Sequence, residues 1–189
     1  SATYAVQAGD DAGTSPEGME GLALWLDASN VDGQNNTTFN DGDPVSKWND
    51  LSGSGKHGVQ AVADEKPVYN TQGFNGKTTI SFDGVKDSLK LTNRKLLGSS
   101  YTAFLIAESN DNDGIFLSQY TTSSTGRMGL NIYNNKLRVW TGGGQKESDE
   151  DFANGTPFLM TARNNNKSLD VWGNGGVSSN NGPVSISTD

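Results

Sequence analysis

Apolar and polar residues alternate along this chain in runs too short, and too strictly two-periodic, for helices. Lys77-Thr78-Thr79-Ile80-Ser81-Phe82-Asp83 places Ile80 and Phe82 on one face, and Leu89-Lys90-Leu91 alternates in the same way. Strand-length runs follow at Gly114 to Gln119, Met128 to Tyr133, Lys136 to Thr141, Thr156 to Ala162 and Ser168 to Trp172. Between the runs stand Asn75-Gly76, Asp83-Gly84, Asn134-Asn135, Gly142-Gly143-Gly144, Asn154-Gly155 and Asn174-Gly175-Gly176, residue types that tolerate turn backbone. Tyr101 to Ala107 is apolar on both faces, which predicts a central strand buried between layers. No 3.6-residue apolar period lasts three turns. Short strands with Gly and Asn punctuation imply an all-β protein, an antiparallel sandwich or jelly roll.

The first quarter reads differently. Residues 1–21 are small and polar and are expected to be a leader, linker or edge segment, with a short strand near Tyr4 to Gln7. One sandwich domain is expected over 22–189. It opens with Leu22-Ala23-Leu24-Trp25-Leu26, predicted to be a strand that delivers an acidic loop, and the chain returns through Val45 to Leu51. Leu51 to Gly58 is predicted to be an irregular Gly- and Ser-rich turn, and the proline of Lys66-Pro67-Val68-Tyr69 marks an edge segment.

Composition narrows the function. A chain of 189 residues buries about 70% of its unfolded surface on folding, so a core forms without disulfides. None is available, since there is no cysteine, which also excludes thiolate metal sites and a Cys nucleophile. A net charge of −8 lacks the basic footprint of a nucleic-acid binder and repels an anionic membrane surface. It suits an extracellular chain whose carboxylates meet divalent cations. No apolar run approaches the ~20 residues of a membrane helix, and a secretion signal is expected elsewhere in a parent protein.

Calcium is the cation these residues favour, because it takes six to eight hard oxygen ligands from flexible loops. Four clusters supply oxygens. Asp27, Asn30, Asp32, Asn36, Asp41 and Asp43 form the first, Asn110 with Asp111, Asn112 and Asp113 the second, Glu147 with Asp149, Glu150 and Asp151 the third, and Asn164, Asn165 and Asn166 with Asp170 the fourth. Neither of the first two is an EF-hand: aligning Asp32-Gly33 to that motif leaves Ala28 first and Phe39 last, and the second puts Tyr120 where a bidentate Glu belongs. In the third, four acids in five residues repel one another unless a cation sits among them. The alternative for every cluster is that Asp and Asn simply build turns.

A ligand surface is suggested by Trp140 beside Gly142, Gly143 and Gly144, where the backbone admits close approach and an indole offers a packing face. Arg127 and Arg138 are able to meet a carboxylate through two parallel N–H donors. Catalysis finds little footing. The single histidine, His57, lies in a Gly- and Ser-rich loop, no Glu-x-Asp-x-x-Glu strand motif occurs, and no phosphate-binding glycine loop is present. The alternative, and the commoner role, is that the four tryptophans, Trp25, Trp48, Trp140 and Trp172, are core residues.

Several phrases carry a family likeness: Leu24-Trp25-Leu26-Asp27-Ala28-Ser29, Asp41-Gly42, Val45 to Gly53, Lys66-Pro67, and Gly76-Lys77 leading to Phe82-Asp83-Gly84 and Leu89. Over Leu22 to Trp172 the chain resembles the concanavalin A-like, laminin-G-like jelly-roll modules of bacterial surface proteins. More narrowly, it resembles the calcium-dependent peptide-binding domains of RTX adhesins. The resemblance implies two packed antiparallel sheets, several bound Ca2+ ions, and extracellular adhesion rather than catalysis. It further implies capture of short peptides by their free C-terminal carboxylate on host or neighbouring cell surfaces, with calcium at the site, by a monomeric module. A carbohydrate-binding module on the same fold is the alternative. The chain departs from the family pattern after Trp172, where Val184 to Asp189 stands in place of an apolar closing strand.

Overall fold

In the computed structural model the chain is almost wholly strand and turn, and every described strand pair is antiparallel. The structure describes residues 2–4, 16–93, 100–120, 127–152, 154–165 and 168–176. Most of the leader, Asn166, and the tail from Val184 to Asp189 lie outside the described residues. Among the described residues no helix is long and apolar enough to cross a membrane. The chain divides into two compact units, Ser1 with Thr3–Leu96, and Ala2 with Leu97–Asp189.

The first strand is β1 (Ala2–Tyr4). In the first unit follow β2 (Lys47–Trp48), β3 (Gly58–Val59), β4 (Val68–Asn70), β5 (Thr79–Phe82) and β6 (Lys90–Leu91), with β2, β3 and β6 forming a small sheet. Strands β4 and β5 form the hairpin that Asn75-Gly76 predicts. Asn75 and Gly76 both have positive φ, 54° and 66°, and the Lys77 N–H closes the turn on the Phe74 carbonyl at 3.2 Å. Ala28, Val31, Val45, Trp48, Tyr69 and Ile80 are buried together with Pro67.

Leu22 to Leu26 is not a strand, contrary to the expectation. The Trp25 N–H turns to the Asp50 carboxylate at 3.0 Å, and its carbonyl accepts from the Leu51 N–H at 2.8 Å, so a side chain takes the place of a ladder partner. The segment ends in a short 3₁₀ turn, Ala28–Asn30, capped by Asp27.

The second unit is a sandwich of two sheets. Strands β7 (Ser100–Ser109), β12 (Phe158–Asn165) and β13 (Leu169–Gly173) run in the order β7, β12, β13. Facing them is a four-stranded sheet in the order β8 (Asp113–Gln119), β9 (Met128–Tyr133), β10 (Lys136–Thr141) and β11 (Gly144–Asp151). The inner faces meet through Leu130, Ile132, Leu137 and Val139 on one side and Ala107, Met160, Ala162, Leu169 and Val171 on the other. Phe158 of β12 packs against Phe116 of β8, ring centroids 5.6 Å apart, and against Phe152 at 5.4 Å.

Strand β7 departs from its expected role. Only Tyr101, Ala103, Leu105 and Ala107 share the face of the buried residues of β12, whereas Phe104 is 65% exposed. An apolar residue on the outer face of a strand looks the same in sequence as one buried by a second layer.

Candidate functional site

Period-two alternation decides which side chains β9 and β10 offer outward. Met128, Leu130 and Ile132 turn into the core with Leu137 and Val139, so Gly129, Asn131 and Tyr133 and the residues Lys136, Arg138 and Trp140 share the outer face. Cross-strand register sets Gly129 opposite Trp140, Asn131 opposite Arg138, and Tyr133 opposite Lys136. The row is extended by Gln145 and Glu147 of β11.

Around Trp140 the structure brings together the residues expected to bind a ligand. Its indole lies over Gly129, where a Cβ would stand 2.5 Å from Cζ2 and closer still to Cε2 and Nε1. Only glycine leaves room for the ring there. Tyr120, 61% exposed, sets its ring 5.6 Å from the Trp140 ring at a tilt of 59°. The Arg127 guanidinium sits 6.0 Å over Tyr120, and the Arg127 carbonyl accepts from the Gly142 N–H at 3.2 Å. Gly142 and Gly143 form the tip of the β10–β11 hairpin, which Gly144 closes opposite Thr141. Trp140, Arg127 and the three glycines thus occupy one end of the sheet, joined by a tyrosine that the sequence did not single out.

Further along the same face lies a second group. Asn131 is only 2% exposed and accepts from Arg138 Nε at 3.3 Å. The Arg138 guanidinium stacks on the Tyr133 ring at 4.0 Å, and its Nη1 stands 3.9 Å from Glu147 Oε1. Gly129, Asn131, Tyr120 and Tyr133 were not identified from sequence. A glycine and an asparagine inside an otherwise apolar strand were the available signal.

The acidic clusters have other partners. In the first, Asp27 accepts from the Ser29 N–H at 2.8 Å, Asp32 from the N–H groups of Gln34 and Asn36, and Asn30 from the Asn35 N–H. Asn36 bridges the Val31 N–H, the Ala28 carbonyl and the Tyr69 hydroxyl. Asp41 caps Thr71, which lowers its carboxyl pKa, and Asp43 caps Asn40. These oxygens build turns, held by N–H donors of the loop itself and, at Asp41, of Thr71.

The second and third clusters share one end of the four-stranded sheet. Asp111 and Asp113 flank the β7–β8 turn, and the Asn135 N–H donates to the Asn112 carbonyl at 3.2 Å. The Phe152 N–H donates to the Asn135 carbonyl at 2.7 Å, which brings the end of β11 to the same corner. Glu147 to Asp151 is an edge strand rather than a loop, bulged so that the Ser148 hydroxyl takes the Leu137 N–H at 3.0 Å. The Lys136 ammonium supplies positive charge to this run, 2.7 Å from the Asp149 carbonyl and 3.0 Å from Asp151 Oδ1. Glu150 is exposed beside Gly176.

In the fourth cluster, Asp170 pairs with Arg163 at 2.8 Å and Asn165 Oδ1 accepts from the Ser168 N–H at 2.8 Å. Among the described residues no three acidic or histidine side chains converge closely enough to hold a metal ion.

Lys136 and Trp140 lie four residues apart on one strand, roughly 14 Å. The acid-bearing corner and the Trp140 surface are therefore separate places. Comparison with protein-family models, with curated proteins and with solved structures finds no match. The site is read from its own chemistry.

Proposed function

We propose that the chain is a ligand-binding module of a bacterial surface adhesin, extracellular and not catalytic, and that the outer face of the β8–β11 sheet holds a short peptide through its free carboxylate. The observation that carries this reading is the Tyr120–Trp140 ring pair seated on Gly129, with Arg127 at its edge and the glycine turn beside it. Aromatic faces supply contact area at low entropic cost, and guanidinium groups supply paired donors for a carboxylate. The resemblance to RTX adhesin domains and the acidic composition support the setting. Calcium, in this reading, acts at the acidic end of the sheet that Lys136 neutralises rather than on the ligand.

An indole seated on a sheet glycine is also a packing surface for a sugar ring, which supports a carbohydrate as the second reading. Isothermal titration with short peptides of varied C-terminus, in millimolar calcium and again in chelator, tests the first, and a glycan array on the same protein tests the second. Peptide binding with a silent array is the expected result. If calcium raises the melting temperature while no ligand does, the module is a spacer and the proposal falls.

A further inference from the structure

A ligand carboxylate needs a guanidinium that is already oriented, and the sheet face offers one at its centre. Arg127 stands at the margin of the surface, 6.0 Å over Tyr120. Arg138 stands in the middle of it, fixed by three contacts. Its Nε donates to Asn131 Oδ1, its plane lies 4.0 Å from the Tyr133 centroid, and its backbone belongs to the central strand β10. Asn131 is in turn fixed by the bond from its Nδ2 to the Ile132 carbonyl at 3.2 Å. With Nε engaged, the two terminal nitrogens remain to face an incoming anion, and 18% of the side chain is exposed. One of those nitrogens already has an acidic neighbour: Glu147 Oε1 stands 3.9 Å from Nη1, an ion-pair distance but too long for a hydrogen bond.

We propose that Arg138 is the residue that receives the ligand carboxylate, and that Glu147 is its resident competitor, occupying the guanidinium until a ligand displaces it. This rests on the reading of the sheet face as the binding surface and makes it specific. Trp140 lies two residues from Arg138 on the same face, about 7 Å along the strand. That is close to the reach from a terminal carboxylate to the side chain of the preceding residue in an extended peptide, about two residue lengths. The surface therefore selects a peptide C-terminus whose penultimate side chain is apolar or aromatic and packs on Trp140 and Tyr120. Lys136, also on this face, is engaged by Asp149 and Asp151 at the far corner.

The probes are the acetylated tripeptide Ala-Phe-Ala as free acid and as C-terminal amide, and glucuronate, titrated into the whole chain by calorimetry. Wild type is expected to prefer the acid over the amide by more than about tenfold, the worth of a charge-assisted pair. Arg138→Gln is expected to abolish that preference while weak binding of both forms persists on Trp140. Glu147→Gln is expected to tighten the acid about two- to fivefold, the value of a partly exposed ion pair, and to leave the amide unchanged. Melting temperatures of both variants report folding, and Glu147→Gln retains an amide that fills the same space. An acid preference that survives Arg138→Gln and disappears in Arg127→Gln overturns the assignment and leaves the proposed function standing. Failure of wild type to bind either tripeptide overturns both, and binding of glucuronate alone transfers the surface to an acidic sugar.

Discussion

Replacing Asp50 by Asn removes a charge on which the first unit is assembled. Asp50 is 7% exposed, and its Oδ1 accepts from the N–H groups of Trp25 and Ser52, both at 3.0 Å. Its Oδ2 accepts from the Lys56 N–H at 2.8 Å and the Ser54 hydroxyl at 3.0 Å, and its own N–H donates to His57 Nδ1 at 3.0 Å. Burial raises the carboxyl pKa, but the donors from Trp25, Ser52 and Lys56 outweigh it, and the group is held at about 2 instead of 3.8.

That displacement is worth about 2 kcal/mol of folding stability at neutral pH. An Asn also turns an N–H₂ toward one pair of donors, and a buried donor left without an acceptor costs about 1–3 kcal/mol. We expect Asp50→Asn to lose about 3 kcal/mol at pH 7 by urea denaturation followed at several pH values. The sign is fixed by the folded pKa lying below the unfolded one. The contribution is complete above about pH 4 and fades as pH falls toward 2, so the gap between wild type and variant must narrow over that window. A loss below about 0.5 kcal/mol, within the range of an ordinary surface substitution, or a gap of constant size from pH 7 to pH 2.5, would refute the reasoning.

Gly129→Ala should expel the Trp140 indole from its seat, so that peptide affinity falls more than about tenfold while the melting temperature changes by only a few degrees, read by titration and by thermal melting. In Gly173→Ala the new Cβ would meet Phe152 at 2.6 to 2.8 Å of its ring edge inside the sandwich, and a stability loss of about 1–3 kcal/mol is expected from urea denaturation. Tyr101→Phe removes a buried hydroxyl that has no hydrogen-bond partner among the described residues, and burial already pushes that phenol up to about 12. Its stability should be unchanged or raised by up to about 1 kcal/mol, and a loss above that would mean the hydroxyl is engaged. Lys136→Gln leaves Asp151 without its ammonium, and calcium should then raise the melting temperature more in the variant than in wild type.

The turns and strands of the second unit were legible because their signals are local. Asn134 and Asn135, at φ 48° and 64°, and Asn174 with Gly175, at 49° and 75°, sit where left-handed backbone is required, and few residues other than Asn and Gly supply it. Met128 to Tyr133 and Lys136 to Thr141 were read to their ends, since two-periodic burial writes itself directly into a two-periodic sequence. Leu22 to Leu26 misled, because its apolar pattern is a strand's but its hydrogen-bond partner is the side chain of Asp50, 25 residues away from Trp25. The acidic run misled in the opposite sense. Glu147 to Asp151 has poor strand propensity, yet an edge position, a serine-filled bulge and Lys136 make a strand of it, and none of these is visible within the run itself.

For the site, Trp140, Arg127 and the glycines were found through residue type, and the surface that unites them through register alone. Strand β10 settles the matter because its inward residues, Leu137 and Val139, are both fully buried. Burying those two side chains fixes Lys136, Arg138 and Trp140 on the opposite face in one order: a cation engaged by acids, a guanidinium held between asparagine and tyrosine, and an indole on glycine. A slip of one residue would turn all three inward, against the sandwich core, so the core that stabilises the unit also sets the spacing of the surface. The order gives that surface a polarity. A carboxylate on Arg138 has Trp140 on one side and the Lys136–Asp151 pair on the other, so a peptide that places its penultimate side chain on the indole must extend toward the glycine turn, away from the acids that would repel it.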